Sequence, residues 1–309
     1  MLNQGWVYHD RIRARHQGQT VLAFYTQAYP HWSAAQWRDR IWAGQMRLDD
    51  QPVTPDTVLT AGQTLSYHRP PWQEPAAPLN FEILQRDRAF LLVNKPSGLP
   101  VLPGGGFLDH TLLHQLKQIE PEIAPIHRLG RGTSGIMLWA RTAHARVQLN
   151  QQMRDRTITK TYRALVPHWS HPDTLTITDG IGKLPHPTLG TIYAATPSGK
   201  PSESRVQVVA RRVDGVLLDV TIPTGRPHQI RIHLAAVGHP LLGDPLYAPG
   251  GQPILTPHPH TGTYPVPGDC GYHLHAHRLT FTHPETGDAI AAHCPPPPRL
   301  CAATEGITG

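Results

Sequence analysis

The apolar residues of this chain follow a helical rhythm near its start and a strand rhythm over most of the rest. Val21 to Tyr29 reads as a helix introduced by Thr20 and ended by Pro30. Ala34 to Ala43 reads as a second helix, capped by Ser33 and closed by Gly44. Three short strand-like pieces follow, Met46 to Leu48, Val58 to Leu59 and Thr64 to Tyr67, separated by the turn-forming stretches Asp49-Asp50-Gln51-Pro52 and Ala61-Gly62. Arg69 to Pro78 is proline-rich and has no periodicity, as an extended linker would. The chain is therefore expected to divide into a small α/β module over residues 1–72, a linker over 73–79, a large domain over 80–301 and a tail over 302–309.

Alternation dominates the large domain. Phe90 to Val93 is a short apolar run, Leu175 and Ile177 alternate with threonines, Val206 and Val208 with polar residues, and Val216, Leu218, Val220 and Ile222 do the same. Asp214-Gly215, between the last two, favours a tight hairpin, because both residue types accept positive φ at small cost. An α+β fold with a mixed, largely antiparallel sheet is expected. Two helices interrupt the strands: Ala143 to Met153, capped by Thr142 behind the apolar run Ile136 to Ala140, and one opening at Thr224 to Arg231. In the second, Pro227 suits the first helical position, Ile230, Leu234 and Val237 share a face, and Gly238 stops it. Ala248 to Gly271, rich in Pro and Gly, reads as an exposed insertion.

Composition narrows the class. With 309 residues and 39% hydrophobic positions the chain can bury a sizeable core. Lys+Arg 28 against Asp+Glu 22 gives +6, a surplus suited to a polyanionic partner, and the 21 histidines add charge below about pH 6.5. No run of about 18 apolar residues would span a membrane, and Met1 to Gly18 is polar, with Asp10, Arg11, Arg13 and Arg15, so a cytoplasmic location is expected. Cys270, Cys294 and Cys301 form no C-x-x-C pair and are odd in number, which favours free thiols.

The candidate chemistry gathers in Ile126 to Ala140, where a loop carrying Arg128, Arg131, Thr133 and Ser134 presents cations and hydroxyls ahead of a buried strand. His127-Arg128-Leu129-Gly130-Arg131-Gly132-Thr133-Ser134-Gly135 resembles the His-Arg-Leu-Asp-Arg-x-Thr-Ser-Gly signature of the RluA-like pseudouridine synthase family, with Gly130 at the place of its catalytic aspartate. Asn94-Lys95-Pro96-Ser97-Gly98, Lys160-Thr161-Tyr162, Thr224 to His233 with Gly238 to Asp244, and Leu274-His275-Ala276 through His283-Pro284 match further family blocks in order. The order of elements in the first module is similar to the α-L RNA-binding module shared with a small-subunit ribosomal protein.

The resemblance implies a pseudouridine synthase fold and an isomerase that detaches uracil from C1′ through nitrogen and rejoins it through carbon, without a cofactor, in structured rRNA or tRNA. It implies that Arg128 enters the gap left by a flipped base, that Tyr162 stacks on the uracil, and that Arg231 is the arginine that pairs with the family's aspartate. Arg131, Lys95, Thr133, Ser134, Arg226, His228 and Gln229 are the expected RNA-contacting residues. With Gly130 opposite, Arg231 is expected to face another anion, an RNA phosphate or a distant carboxylate. Asp109, Asp155 and Asp244 are the carboxylates nearest the matched blocks. An RNA-binding or RNA-chaperone protein on the same scaffold is the alternative.

Two further patterns carry less. Gly130-x-Gly132-x-x-Gly135 has dinucleotide-fingerprint spacing, but such a motif needs a strand before it and a helix opening inside it, and here a strand-like run follows, so no nicotinamide or flavin is expected. Cys270, His273, His275 and His277 alternate in a way that could face a metal, yet the strand reading accounts for the histidines without one, and no metal site is expected.

Overall fold

The computed structural model describes residues 2–259 and 261–302; of the expected tail, all but Ala302 lies outside the described residues. Two compact units divide between Glu74 and Pro75, and the short segment His186–Gly190 groups with the first.

In the first unit β1 (Trp6–Arg11) precedes α1 (Val21–Ala28) and α2 (Ala34–Trp42), and β2 (Met46–Leu48), β3 (Gln51–Pro52) and β4 (Thr64–Arg69) complete an antiparallel sheet ordered β1-β4-β2-β3. Thr20 Oγ1 accepts from the Ala23 amide at α1, and Ser33 with Gln36 forms a capping box at α2, satisfying amides that a first turn leaves free. Val21, Phe24, Tyr25, Trp37 and Ile41 then pack on Met46, Leu65 and Tyr67. Of Val58 to Leu59 only an isolated bridge forms, between Thr20 and Val58.

The proline-rich stretch is not a free spacer. Glu74 is buried and accepts from Asn3, within the first unit. Beyond the division, Ala77 packs on the core of the second unit and the Pro75 carbonyl lies 2.8 Å from His110 Nδ1. Prolines fix extended backbone there, and the stretch is extended yet packed.

The second unit is built on ten strands: β5 (Glu82–Arg86), β6 (Phe90–Lys95), β7 (Ala124–Pro125), β8 (Ser134–Ala140), β9 (Thr159–Val166), β10 (Thr174–Ile177), β13 (Ser204–Arg212), β14 (Gly215–Thr221), β17 (Leu274–Thr282) and β18 (Ala289–His293). The pairs β11 (Ile181–His186) with β12 (Gly190–Ala195), and β15 (Tyr247–Ala248) with β16 (Gln252–Pro253), stand outside that sheet. The main path runs β10-β13-β14-β9-β17-β8-β6-β5, with β7 on β8 and β18 on β17. Its pairings are antiparallel except for β17 against β8, which run parallel through His275 opposite Ser134 and Ala276 opposite Gly135. Gly135 has φ +107, and a Cβ there would overlap the Ala276 carbonyl, so only glycine lets the two strands close.

Both faces of this sheet are covered, which is why β6 and β8 read as unbroken apolar runs. One face carries Leu91, Val93, Met137, Trp139, Tyr162 and Ala164 against Leu112 and Leu116 of α3 (Leu112–Lys117) and Ile230 and Leu234 of α5 (Gln229–Ala236). The other carries Phe90, Leu92, Ile136 and Leu138 against Ala145 and Leu149 of α4 (Ala143–Asp155). α5 begins two residues later than Pro227 suggested. His228 takes a left-handed conformation (φ 57°), and the Gln229 side chain closes the turn before it by accepting from the Arg226 amide and the Thr224 hydroxyl. The segment after Tyr247 is not wholly irregular, since β15 and β16 pair across it. No helix among the described residues is long and apolar enough to cross a membrane.

Candidate active site

The loop before β8, the turn before α5, and the strands β9 and β17 converge on one open cleft. Arg128, Gly130, Thr133, Tyr162, Arg231 and Tyr272 are among its walls. A second cleft adjoins it through Arg128, Tyr162, Ile222 and Arg226, and adds His127 and Lys160. Among the described residues no aspartate or glutamate lines either. The walls are cationic and aromatic, suited to holding an anionic, planar group.

Arg128 is exposed at the junction of the two clefts and makes no hydrogen bond or ion pair among the described residues. Its guanidinium is therefore available to a ligand. Tyr162 faces the cleft from the middle of β9, where alternation also turns Lys160 and Ala164 inward; burial pushes the Tyr162 hydroxyl well above its ordinary pKa. Lys160 is buried against the second cleft, and burial lowers its pKa. His127 accepts from the Leu138 amide through Nε2, so its proton sits on Nδ1, and burial pushes its pKa down to about 3. Arg226 reaches the Pro201 carbonyl from the rim, and His228 Nδ1 lies 2.8 Å from the Tyr247 hydroxyl.

Several expected RNA contacts are instead taken up in hydrogen bonds that hold the fold, Gln229 among them although it lines the first cleft. Lys95 is fully buried and its ammonium donates to the carbonyls of Pro96, Leu99 and Arg131, which ties the end of β6 to the loop before β8. Gln229 is buried, and its amide nitrogen donates to the Glu203 carbonyl and Ser204 Oγ while its oxygen holds the turn before α5. Ser134 bonds His275 Nδ1 across the parallel seam. Arg131 lines neither cleft; its Nε donates to the Gly268 carbonyl at 2.6 Å. Thr133 does line the cleft, buried, with its hydroxyl 3.2 Å from that of Tyr272.

Of the anions expected opposite Arg231, the structure supplies a carboxylate. Its Nε and Nη2 donate to the two oxygens of Asp244 at 2.8 and 2.7 Å, a bidentate pair with side chains 3% and 0% exposed. Asp244 Oδ1 also accepts from the amides of Leu246 and Tyr247, which holds the loop after α5. Asp109 lies 3.4 Å from His114 and Asp155 accepts from Gln151 at the end of α4; neither lines the cleft. None of the three carboxylates is placed to replace the missing acid. Among the described residues no metal-holding cluster occurs; His275 and His277 bond the Cys294 carbonyl.

Tyr272 and Lys160 are two polar wall residues that motif matching passed over. Tyr272 lies outside every matched block, and Lys160 sat inside one without a role.

Residues 89–236, which carry most of these walls, match the RNA pseudouridylate synthase family. An RNA pseudouridine synthase of Synechocystis sp., itself uncharacterized, is 46% identical over 282 residues, 91% of this chain and 95% of that protein. The ribosomal large subunit pseudouridine synthase D of Neisseria meningitidis serogroup B is 32% identical over 91% of this chain and 76% of its own length. Among solved structures, human RNA pseudouridylate synthase domain containing 1 superposes with a TM-score of 0.54 at 27% identity, covering 74% of this chain and 89% of that one. The chain belongs to the RNA pseudouridine synthase family, and it is an isomerase of that kind on the pseudouridine synthase fold.

Proposed function

We propose that this enzyme isomerises uridines in structured RNA, ribosomal RNA first, after flipping each target base into the cleft between Arg128 and Tyr162. The observation that carries the reading is the unpaired, exposed Arg128 at the mouth of a cleft floored by an aromatic ring. A base leaving a stack costs a few kcal/mol and vacates a slot, and a flat guanidinium can fill that slot while bonding its neighbours. Tyr162 offers the uracil a stacking face, a contribution of about 1–3 kcal/mol per base. Lys160 and Arg226 along the adjoining cleft suit the flanking phosphates. The ribosomal target is favoured by the name of the Neisseria relative, and a cytoplasmic location follows from such a substrate.

A transcriptome-wide pseudouridine map with and without the gene tests the assignment; an unchanged map removes it. In binding assays Arg226→Ala should weaken RNA affinity and lower the salt slope by about one, the mark of a single lost phosphate contact. Arg128→Ala should chiefly slow turnover. Equal turnover by Arg128→Ala would take Arg128 out of the flipping step.

A further inference from the structure

The loop glycines and Tyr272 fit one another. A Cβ on Gly130 would lie 2.9 Å from the Tyr272 hydroxyl, and one on Gly132 would lie 2.9 Å from two carbons of the same ring. Neither glycine has positive φ, so backbone conformation demands glycine at neither position; the ring does. Tyr272 is 5% exposed and still lines the cleft beside Arg128 and Tyr162. The Arg231 guanidinium, locked by Asp244, lies 4.1 Å from the ring centroid, and the hydroxyl lies 3.2 Å from Thr133 Oγ1. Ring and hydroxyl are thus both fixed, and the hydroxyl occupies the ground that a short acidic side chain at 130 would cover.

We propose that Tyr272 is the catalytic residue that stands in for the loop carboxylate: its hydroxyl meets the flipped uridine at the glycosidic bond and donates a hydrogen bond to the uracil as that bond opens. This rests on the pseudouridine synthase reading of the cleft. Burial raises the Tyr272 pKa, so at neutral pH the group is a phenol, a donor and not an anionic nucleophile. When the C1′–N1 bond breaks, its electron pair leaves with the uracil and spreads over N1, O2 and O4, while the ribose ring oxygen shares the positive charge left on C1′. The phenol hydrogen bond offsets charge on a uracil oxygen at that moment. After the base turns, C5 returns the pair to C1′, the C5 proton departs to water and N1 takes one up. No group is oxidised or reduced. A fixed donor aimed at developing charge contributes about 10²- to 10³-fold in rate.

Tyr272→Phe keeps the ring in its glycine cradle and removes only the hydroxyl. With RNA from cells lacking the gene, labelled as 5-tritiated uridine, the variant should release label with kcat lowered about 100-fold while RNA affinity stays within about threefold of wild type. Gly130→Ala pushes on the hydroxyl, so it should lower both kcat and the melting temperature in the wild-type background, and should cease to lower the melting temperature when combined with Tyr272→Phe, where only the ordinary 3.5 Å contact with Thr133 Oγ1 remains. If Tyr272→Phe works at the wild-type kcat, the proposal is overturned and the enzyme assignment survives. If wild type releases no label from this RNA, the cleft is not a synthase site, and the role of Tyr272 falls with it. Should Tyr272→Phe fail to fold, Gly130→Ala alone decides, and an unchanged kcat overturns the proposal.

Discussion

Asp244 and Arg231 show how one buried pair changes the meaning of an absent acid. With Gly130 at the place of the family's aspartate, Arg231 was expected to face another anion, an RNA phosphate or a distant carboxylate, and its guanidinium is indeed gripped by two oxygens of Asp244. Both partners are desolvated, so removing one charge strands the other, at a cost of about 3–5 kcal/mol. Asp244→Asn should therefore lower the urea midpoint of the second unit substantially, while Arg231→Met with Asp244→Leu should recover much of the loss. Equal stability of Asp244→Asn and wild type would show that the pair is not buried as described. That Arg128 and Tyr162 share one cleft was legible from their motifs. Tyr272 was not, because what makes it matter is a loop far away in the chain, with Thr133 139 residues removed. Lys95 was misread for a related reason: a lysine beside a turn looks like a phosphate contact until three carbonyls are seen to surround it.

Among the elements, those with strong alternation or clear caps, such as β14 and α4, lie close to where the pattern put them. β1 was invisible because it is exposed at nearly every position and so carries no alternation; only its ladder to β4 defines it. Around α5 and β17 the elements set a pH response. His228 is pushed down to about 4 by burial first and then by the Arg231 and Arg128 cations, with Asp244 opposing; His275 is pushed to about 4 by burial, with the Cys294 carbonyl opposing and His277, Arg163 and His293 reinforcing. Between about pH 4 and 6.5 the unfolded chain binds protons at these positions that the folded one refuses, so stability is full above about 6.5 and is lost as pH falls toward 4. The combined effect is on the order of several kcal/mol. Denaturant midpoints at pH 7.5 and 5.0 check this; a profile flat across that interval would contradict the neutral histidines.

At the scale of the whole second unit, the strand that closes the sheet comes late in the chain. β17 lies between β9 and β8, and in the main path it joins the half running to β10 to the half running to β5. During synthesis, everything up to Gly271 would emerge from the ribosome as two half-sheets with the edge of β9 and the Ser134–Gly135 end of β8 left without the partner strand, the kind of edge that invites pairing with another chain. The unit cannot complete its fold until Leu274 to Thr282 has been made, and the long-range closure that then follows is slow by its topology. A stop after Gly271 should yield aggregates in which only the first unit resists protease, and a soluble product that unfolds cooperatively in both units would refute this. The site itself inherits that timing: Tyr272 and β17 arrive together, so the growing chain carries the Arg128 loop through the synthesis of everything up to Gly271 without the wall that completes it.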